Sequence, residues 1–481
     1  MSLLIKIILG QLYSTNMSGA VLEKMSTLMN IKEAEIDTPQ KRQKFNIGVI
    51  GSGTTLLQHV CVFAEVGFKV VAVDVHHRLM NVTKKNAIPF TNSTLNTHIN
   101  EYLRDGLLTV TSSIKEATSK SDAIIFLVQP LISQKKKPDY SKIERACMEV
   151  GMGLRPGCLV IVASPMGPGV TQSLVKENLE NASGLKAGVD FGLAYSSLYA
   201  ESETFTEKNT TCKTAVSAIG EQSLKITCLI LGTITQELLV VRDMRTAEAI
   251  GLFRDVYQDY KIALANEFAR YCEKARIDFA EIQRITNEQP HCHLPTPKIA
   301  TEDKMKALYL LLEEAEAVNT KLPLLTLARK VNEEMVCHTL RLVRDALRVC
   351  DKPMRKAKVS ILGVSCQPNV KEFRGSITKK LVRVMNRKGM LVRVYDPFFS
   401  LQELKEIGYP AERTFKKTIE GADCLVVTVG HDQFKKLRLK NIKLLAKKSV
   451  GIVDMGHVID PSEAEREGFV YRGIGRGIWT K

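Results

Sequence analysis

Two groups of residues in this 481-residue chain have types and spacing suited to chemistry. The first is the turn Ile50-Gly51-Ser52-Gly53, with Asp74 about twenty residues further on. Glycines placed after a strand let the backbone approach a pyrophosphate at the N-terminus of the next helix. An acid ending the second strand can accept hydrogen bonds from the adenosine ribose hydroxyls, which favours NAD over NADP. Leu56 occupies the third glycine position of G-x-G-x-x-G, whose usual job is close helix–strand packing. An α/β sheet with glycine turns and no nucleotide is the plain alternative. The second group is His291-Cys292-His293, followed by Leu294-Pro295-Thr296-Pro297. Imidazoles beside a thiol can lower its pKa and make Cys292 a nucleophile, although loop cysteines are more often inert. Adjacent residues rarely satisfy a tetrahedral ion, so no metal is expected there.

The elements that must position these residues are legible as short apolar runs. Phe45–Ile50 and Lys69–Asp74 read as buried strands flanking the glycine turn, and Ala123–Val128 and Cys158–Ala163 as two more. Strands alternating with helical stretches predict a parallel, doubly wound sheet. From Ser223 to Leu347 the pattern turns helical, with a long amphipathic run from Thr246 through Ala269 and another over Leu324–Leu347. Asp351-Lys352-Pro353 ends it. A second α/β block follows, with strands expected at Lys358–Gly363, Leu391–Pro397, Cys424–Val429 and Val450–Asp454. The fold class predicted is α/β: a Rossmann-like parallel sheet domain over 44–225, a helical central and dimerisation domain over 226–350, and a Rossmann-like α/β domain over 356–481. Residues 1–43 read as an extension, with Ile31–Gln43 a disordered lead-in.

Composition bounds the alternatives. Hydrophobic residues make up 44% and charged residues 25%, which excludes collagen-like and disordered classes. No apolar stretch is long enough to span a bilayer, so no membrane partner is expected. The start Met1–Leu9 carries one basic residue and no small-residue cleavage site, so an extension ahead of a start such as Met17 competes with a signal peptide. The 11 cysteines contain no C-x-x-C, and Cys61, Cys158, Cys228 and Cys424 sit in apolar segments. They read as free thiols in a reducing compartment, the cytoplasm. Residues 351–481 hold 27 Lys and Arg against 14 Asp and Glu. That surplus suits a polyanionic ligand, or is simply a solvated lysine surface. Aromatics are only 6%, with Trp479 the one Trp, so nucleic acid is not the expected partner.

The ordered set of segments resembles the UDP-glucose/GDP-mannose dehydrogenase family, of the UDP-N-acetylmannosamine type. Ser164-Pro165-Met166-Gly167-Pro168-Gly169 is similar to the family's S-T-V-P-P-G turn. Thr246–Ala249 and Ile262–Ala269 are similar to its central-helix signature, and Leu322-Pro323 with Val331-Asn332-Glu333 to the helix after its active-site turn. Pro368-Asn369, Arg374-Gly375-Ser376, Tyr395-Asp396-Pro397, Gly430–Phe434 and Gly473–Arg476 resemble its third domain. The resemblance implies NAD held by Gly51, Gly53, Asp74 and Ser164, a nucleotide-sugar ligand near the basic last domain, a homodimer, and two hydride transfers from a sugar alcohol. The second transfer needs a thiol adduct of the aldehyde, which assigns Cys292 as the catalytic residue.

The sequence departs from the family where the chemistry sits. Gln289-Pro290 replace the glycines of G-G-H-C. Gly251 and Asp255 occupy the positions of a Lys and an Asn one helical turn apart, and Leu198 that of a general-base Glu. Pro165 replaces a Thr, Cys366-Gln367 a Phe-Lys pair, and Gly456 an Arg. Lys261 lies on a different face of the helix from Gly251. Three readings stay open: a nucleotide-sugar dehydrogenase, a catalytically silent relative that binds a nucleotide or serves as a scaffold, and an enzyme repurposed around Glu248, Arg254, Asp255 and Lys261.

Overall fold

The computed structural model describes residues 31–75, 93–198, 213–299, 302–371, 373, 375–446 and 449–476. Arg374, Trp479, Met17 and the start Met1–Leu9 lie outside them. The chain divides into two compact units, 1–254 with 309–320 and 255–308 with 321–481.

The first unit is built on an eight-stranded sheet: β1 (Asn46–Gly51), β2 (Lys69–Asp74), β3 (Leu108–Thr111), β4 (Ala123–Phe126), β7 (Leu159–Val162), β8 (Gly192–Ser196), β9 (Thr214–Ala218) and β10 (Leu238–Val240). A two-stranded ribbon, β5 (Leu131–Ile132) and β6 (Pro138–Asp139), stands beside it in sequence. The sheet order is β10-β9-β8-β7-β4-β1-β2-β3, and only the β8–β9 pair is antiparallel among the pairings of this sheet. Ile47, Val49, Ile50, Val70 and Val73 are buried, as continuous apolar runs must be in a parallel sheet covered on both faces. The order reverses at β1, between β4 and β2, so the crevice at the strand C-termini opens beside Gly51.

Two expectations are corrected here. Ile31–Gln43 is not a disordered lead-in: Ile31 and Ile36 are buried in the core of this unit. Arg42 locks the segment by donating to the carbonyls of Ile36, Asp37 and Val66. Two apolar anchors and a guanidinium that satisfies three carbonyls outweigh the polar composition. The stretch from Ser223 is not wholly helical either. After α2 (Glu221–Leu231), β10 pairs with β9 and extends the sheet.

Four further helices follow: α3 (Met244–Ala275), α4 (Phe279–Thr286), α5 (Glu302–Ala317) and α6 (Pro323–Val349). The second unit is centred on a five-stranded sheet of β11 (Lys358–Leu362), β12 (Leu391–Tyr395), β13 (Cys424–Val427), β14 (Gly451–Asp454) and β15 (Val470–Gly473). Its order is β12-β11-β13-β14-β15, parallel throughout. Val359, Ile361, Val394, Val426 and Val453 share one core with Met335, Val343 and Ala346 of α6. Here too the order reverses at the first strand, between β12 and β13. The fold is the predicted α/β class with two Rossmann-like sheets and a helical middle.

Candidate functional site

β1 ends in Gly51 and passes through Ser52 into α1 (Gly53–Glu65). A Cβ on Gly51 would lie 2.8 Å from the Leu127 Cβ, so the close approach of β1 to the end of β4 requires glycine. Gly53 has φ +68, a left-handed conformation that side chains disfavour. Ser52 is the N-cap of α1 and its side chain makes no capping bond. The helix amides therefore point to the crest without an internal acceptor from that side chain, the arrangement that receives a phosphate. Asp74 pairs in register with Gly51 and is buried at the end of β2. Leu56 is wholly buried in the core of the unit, so apolar packing takes over the work of the third glycine. His59 one turn further on is buried and its Nδ1 faces the Thr55 carbonyl at 2.8 Å; burial pushes its pKa down to about 4.

The Ser164–Thr171 turn follows β7 on the same crest. The Ser164 hydroxyl donates to the Val128 carbonyl at 2.9 Å and so ties the ends of β4 and β7 together. On the far side of the turn, Glu248 of α3 is buried and accepts from the backbone amides of Gly169 and Thr171, the latter at 2.9 Å. Burial raises its pKa to about 7, against hydrogen bonds from Thr171 and Gly169 and the charge of Arg245. The sequence names Glu248 only as one polar group of a repurposed cleft, without these contacts. A Glu on an amphipathic helix reads as a solvated group, and its partners lie far away in the chain.

The structure brings Gly51, Gly53, Asp74 and Ser164 to one edge of one sheet. Cys292 belongs to the other unit. It is exposed, between exposed His291 and His293, and its amide donates to the Gln289 carbonyl. The turn that carries it is closed at its base by Asn287, whose amide side chain accepts from Leu294 N–H and donates to Leu294 O at 2.8 and 2.9 Å. Among the described residues, no three His, Cys, Asp or Glu side chains cluster to hold a metal.

The positions that differ from the family pattern have these settings. Leu198 is 3% exposed, an apolar core residue packed with the strands of the first sheet. Gly251 is buried on α3, and Asp255 one turn later is half-buried. Lys261 sits 4.9 Å over the ring of Tyr257, engaged as a cation with its own helix neighbour. Gly456 faces Gly430 so closely that a Cβ would meet the Gly430 amide nitrogen at 2.9 Å. No side chain, the expected Arg included, fits there without moving the backbone.

At the crest of the second sheet a buried carboxylate gathers the loops. Asp396, after β12, accepts from the amides of Val364 and Ser365, the Ser365 hydroxyl, and His431 Nε2 at 3.2 Å. His431 Nδ1 accepts from the Asn369 amide at 2.9 Å, which assigns the ring proton to Nε2. Burial would raise the Asp396 pKa, but His431 and the Val364 and Phe398 amides outweigh it and hold the carboxyl below its ordinary range. Asn369 has φ +60 and exchanges side-chain hydrogen bonds with Asp432.

Three family models match successive parts of the chain. Residues 45–225 match the NAD binding domain of the UDP-glucose/GDP-mannose dehydrogenase family, 245–334 its central domain and 360–461 its UDP binding domain. The UDP-N-acetyl-D-mannosamine dehydrogenase of Pyrococcus horikoshii is 26% identical over 433 residues, covering 90% of this chain and 99% of that protein. UDP-glucose 6-dehydrogenase TuaD of Bacillus subtilis is 24% identical, covering 89% and 93%. The solved UDP-D-ManNAc dehydrogenase structure from P. horikoshii superposes with a TM-score of 0.80 over 90% of this chain and 100% of its own. The cofactor of this fold is NAD, and its third domain is the UDP-binding one. By the three matched domains, in the family's order and across most of its length, the chain belongs to the UDP-glucose/GDP-mannose dehydrogenase family.

Proposed function

We propose that the protein binds NAD through Gly51, Gly53, Asp74 and Ser164 and a UDP-linked sugar through its third domain, with the family's oxidation of the sugar alcohol reduced to a trace. Leu198, buried among apolar side chains where the family has its base, carries this reading. A hydrocarbon takes no proton, Gly251 offers no cation, and Asp255 would repel a developing alkoxide. One missing oxyanion donor alone costs roughly a hundredfold in rate. The uncapped α1 N-terminus and the two glycines support cofactor binding, because nothing but backbone is needed there.

The test is a pair of measurements on the whole chain. NAD and UDP should each raise the thermal midpoint, by an amount that grows with concentration, as any ligand of the native state must. Absorbance at 340 nm should stay flat with UDP-glucose, UDP-N-acetylmannosamine and their galacto relatives. Robust NADH formation that disappears in Cys292→Ser would reverse the conclusion. The observation favouring that second reading is the exposure of Cys292, which leaves its thiol free to add to an aldehyde.

The family's homodimer is part of the proposal. Tyr257, Phe268 and Tyr271 stand exposed at helical spacing on α3, an apolar stripe suited to a second copy. Light scattering should give twice the 53.6 kDa of the chain, and Phe268→Arg should halve it. Ten described cysteines are unpaired thiols, which fits the cytoplasm.

A further inference from the structure

We propose that Glu248 is a positioning residue for the dinucleotide site: its carboxylate holds the Ser164–Thr171 turn shut and thereby sets the affinity for NAD. The inference rests on the cofactor reading above and adds a residue to it. The geometry is that of a helix cap supplied from a distance. Thr171 opens a π-helical turn, Thr171–Val175, which runs on into the helix Lys176–Ser183. Helix starts carry unsatisfied amides that need an acceptor. None of the cap residues of this helix supplies a side-chain acceptor. Glu248 does so from α3, one carboxylate oxygen taking the Gly169 amide and the other the Thr171 amide. Gly169 has φ +96, so the turn reaches this position only because a glycine stands there. At its other end the same turn is fixed by Ser164 on Val128, one residue beyond the Leu127 side chain against which Gly51 packs. Freeing the Glu248 end loosens the wall of the cofactor crest while leaving the glycine turn intact.

The groups around Glu248 define how the latch responds to protons. Arg245 lies one turn back on the same helix and pairs with Glu314 of α5. Tyr140, whose hydroxyl abuts Gly167, donates to Glu313 of α5 at 3.4 Å. Thr171 faces it from the turn. Burial dominates over all of them and raises the carboxyl to about 7. An opened turn would return Glu248 to water and to an ordinary carboxylate range near 4.3. The closed state therefore holds its proton more tightly than the open state. Closure is fully favoured below the ordinary range, weakens as pH rises towards about 7, and is level above it.

Isothermal titration of NAD between pH 5 and 8.5, with hydrogen exchange at the Gly169 and Thr171 amides, tests this. Native protein should lose about tenfold or more in affinity between pH 5 and 7 and then level off. Protection of the two amides, measured against their intrinsic exchange rates at each pH, should fall over the same window. Glu248→Gln cannot ionise, so both readouts should become flat with pH, which a merely structural role would not produce. The same pH profile in native protein and Glu248→Gln overturns the proposal. So does altered exchange without altered NAD affinity, which would leave a latch unconnected to the cofactor. If native protein binds no NAD at any pH, the cofactor reading falls and takes the coupling with it. If Glu248→Gln does not fold, the native profile alone decides: protection that stays flat from pH 5 to 7 at both amides overturns the latch.

Discussion

The two parallel sheets each reverse their strand order at the first strand, yet their crests are built in opposite ways. In the first, β1 runs through two glycines straight into α1, and the N-cap Ser52 leaves the helix amides unclaimed by its side chain. In the second, Gly363 also has a positive φ and also packs where a Cβ would collide, here 2.8 Å from the Val429 Cβ. Its loop amides are consumed internally, by Asp396 after β12 and by Asp454 at the end of β14, which accepts from Gly456, Val458 and Ile459. The same glycine device thus serves two ends. In one crest the cap side chain takes no helix amide, whereas in the other the loop amides are tied to buried carboxylates.

The largest effect should come from breaking the self-satisfied crest. Asp396→Ala removes the acceptor of three amides, of Val364, Ser365 and Phe398, a hydroxyl and His431, most of them buried. Removing one partner of such a buried network costs about 3–5 kcal/mol. Chemical denaturation followed by hydrogen exchange should show the loss in the second unit, with the strands of the first protected. The pH dependence has a definite sign. The Asp396 pKa lies below its unfolded value, so its contribution is present above the ordinary carboxylate range and is lost as pH falls through the folded value. Asp396→Asn should flatten that acid limb. If the variant keeps native stability and an unchanged acid limb, the second crest is not held by this carboxylate.

Next comes the ligand-facing crest. Gly51→Val drives branched methyls into Leu127 and should cost about 1–3 kcal/mol by overpacking, together with measurable NAD binding. Calorimetry with NAD and, separately, with UDP checks it. Loss of NAD binding with UDP binding intact sharpens the contrast, and equal losses erase it. Asp74→Asn tests the same crest more gently. Replacing a charged acceptor by an amide weakens hydrogen bonds worth about 1.5–3 kcal/mol, so NAD affinity should fall roughly tenfold. Discrimination against NADP should shrink with it.

How much of this could be read beforehand follows from where the forces lie. β1, β2, β4, β7, β13 and β14 were legible because parallel strands buried on both faces are largely apolar runs, and β12, an edge strand with alternating burial, because its β-branched and aromatic residues end in a turn. β8, β9 and β10 were not: Gly192-Leu193-Ala194-Tyr195-Ser196 and Thr214–Ala218 are short and rich in small residues, and they gain strand character from pairing. The glycine turn and Asp74 were legible because their spacing is local. Glu248 was named only as a polar group of a repurposed cleft; its burial against the Gly169 and Thr171 amides, brought to it only by the fold, was not legible. The Tyr395-Asp396-Pro397 and Gly430–Phe434 motifs were recognisable as pieces. That His431 and Asp396 meet, and so close the second crest, is a tertiary fact.

The smallest prediction separates the two crests through their helix caps. Ser400 caps the helix Leu401–Ile407 that follows β12 by accepting from Glu403 N–H, while the Glu403 carboxylate accepts in return from Ser400 N–H. Such reciprocal caps contribute about 1 kcal/mol, and Ser400→Ala should lower stability by that amount. Ser52 heads α1 with no such bond, so Ser52→Ala should change the stability of the free protein by only a few tenths of a kcal/mol, within the ordinary range for a neutral substitution. Denaturant midpoints of the two variants give the comparison directly. If Ser52→Ala costs as much as Ser400→Ala, the α1 amides are already satisfied within the protein. The first crest would then be no more open to a phosphate than the second.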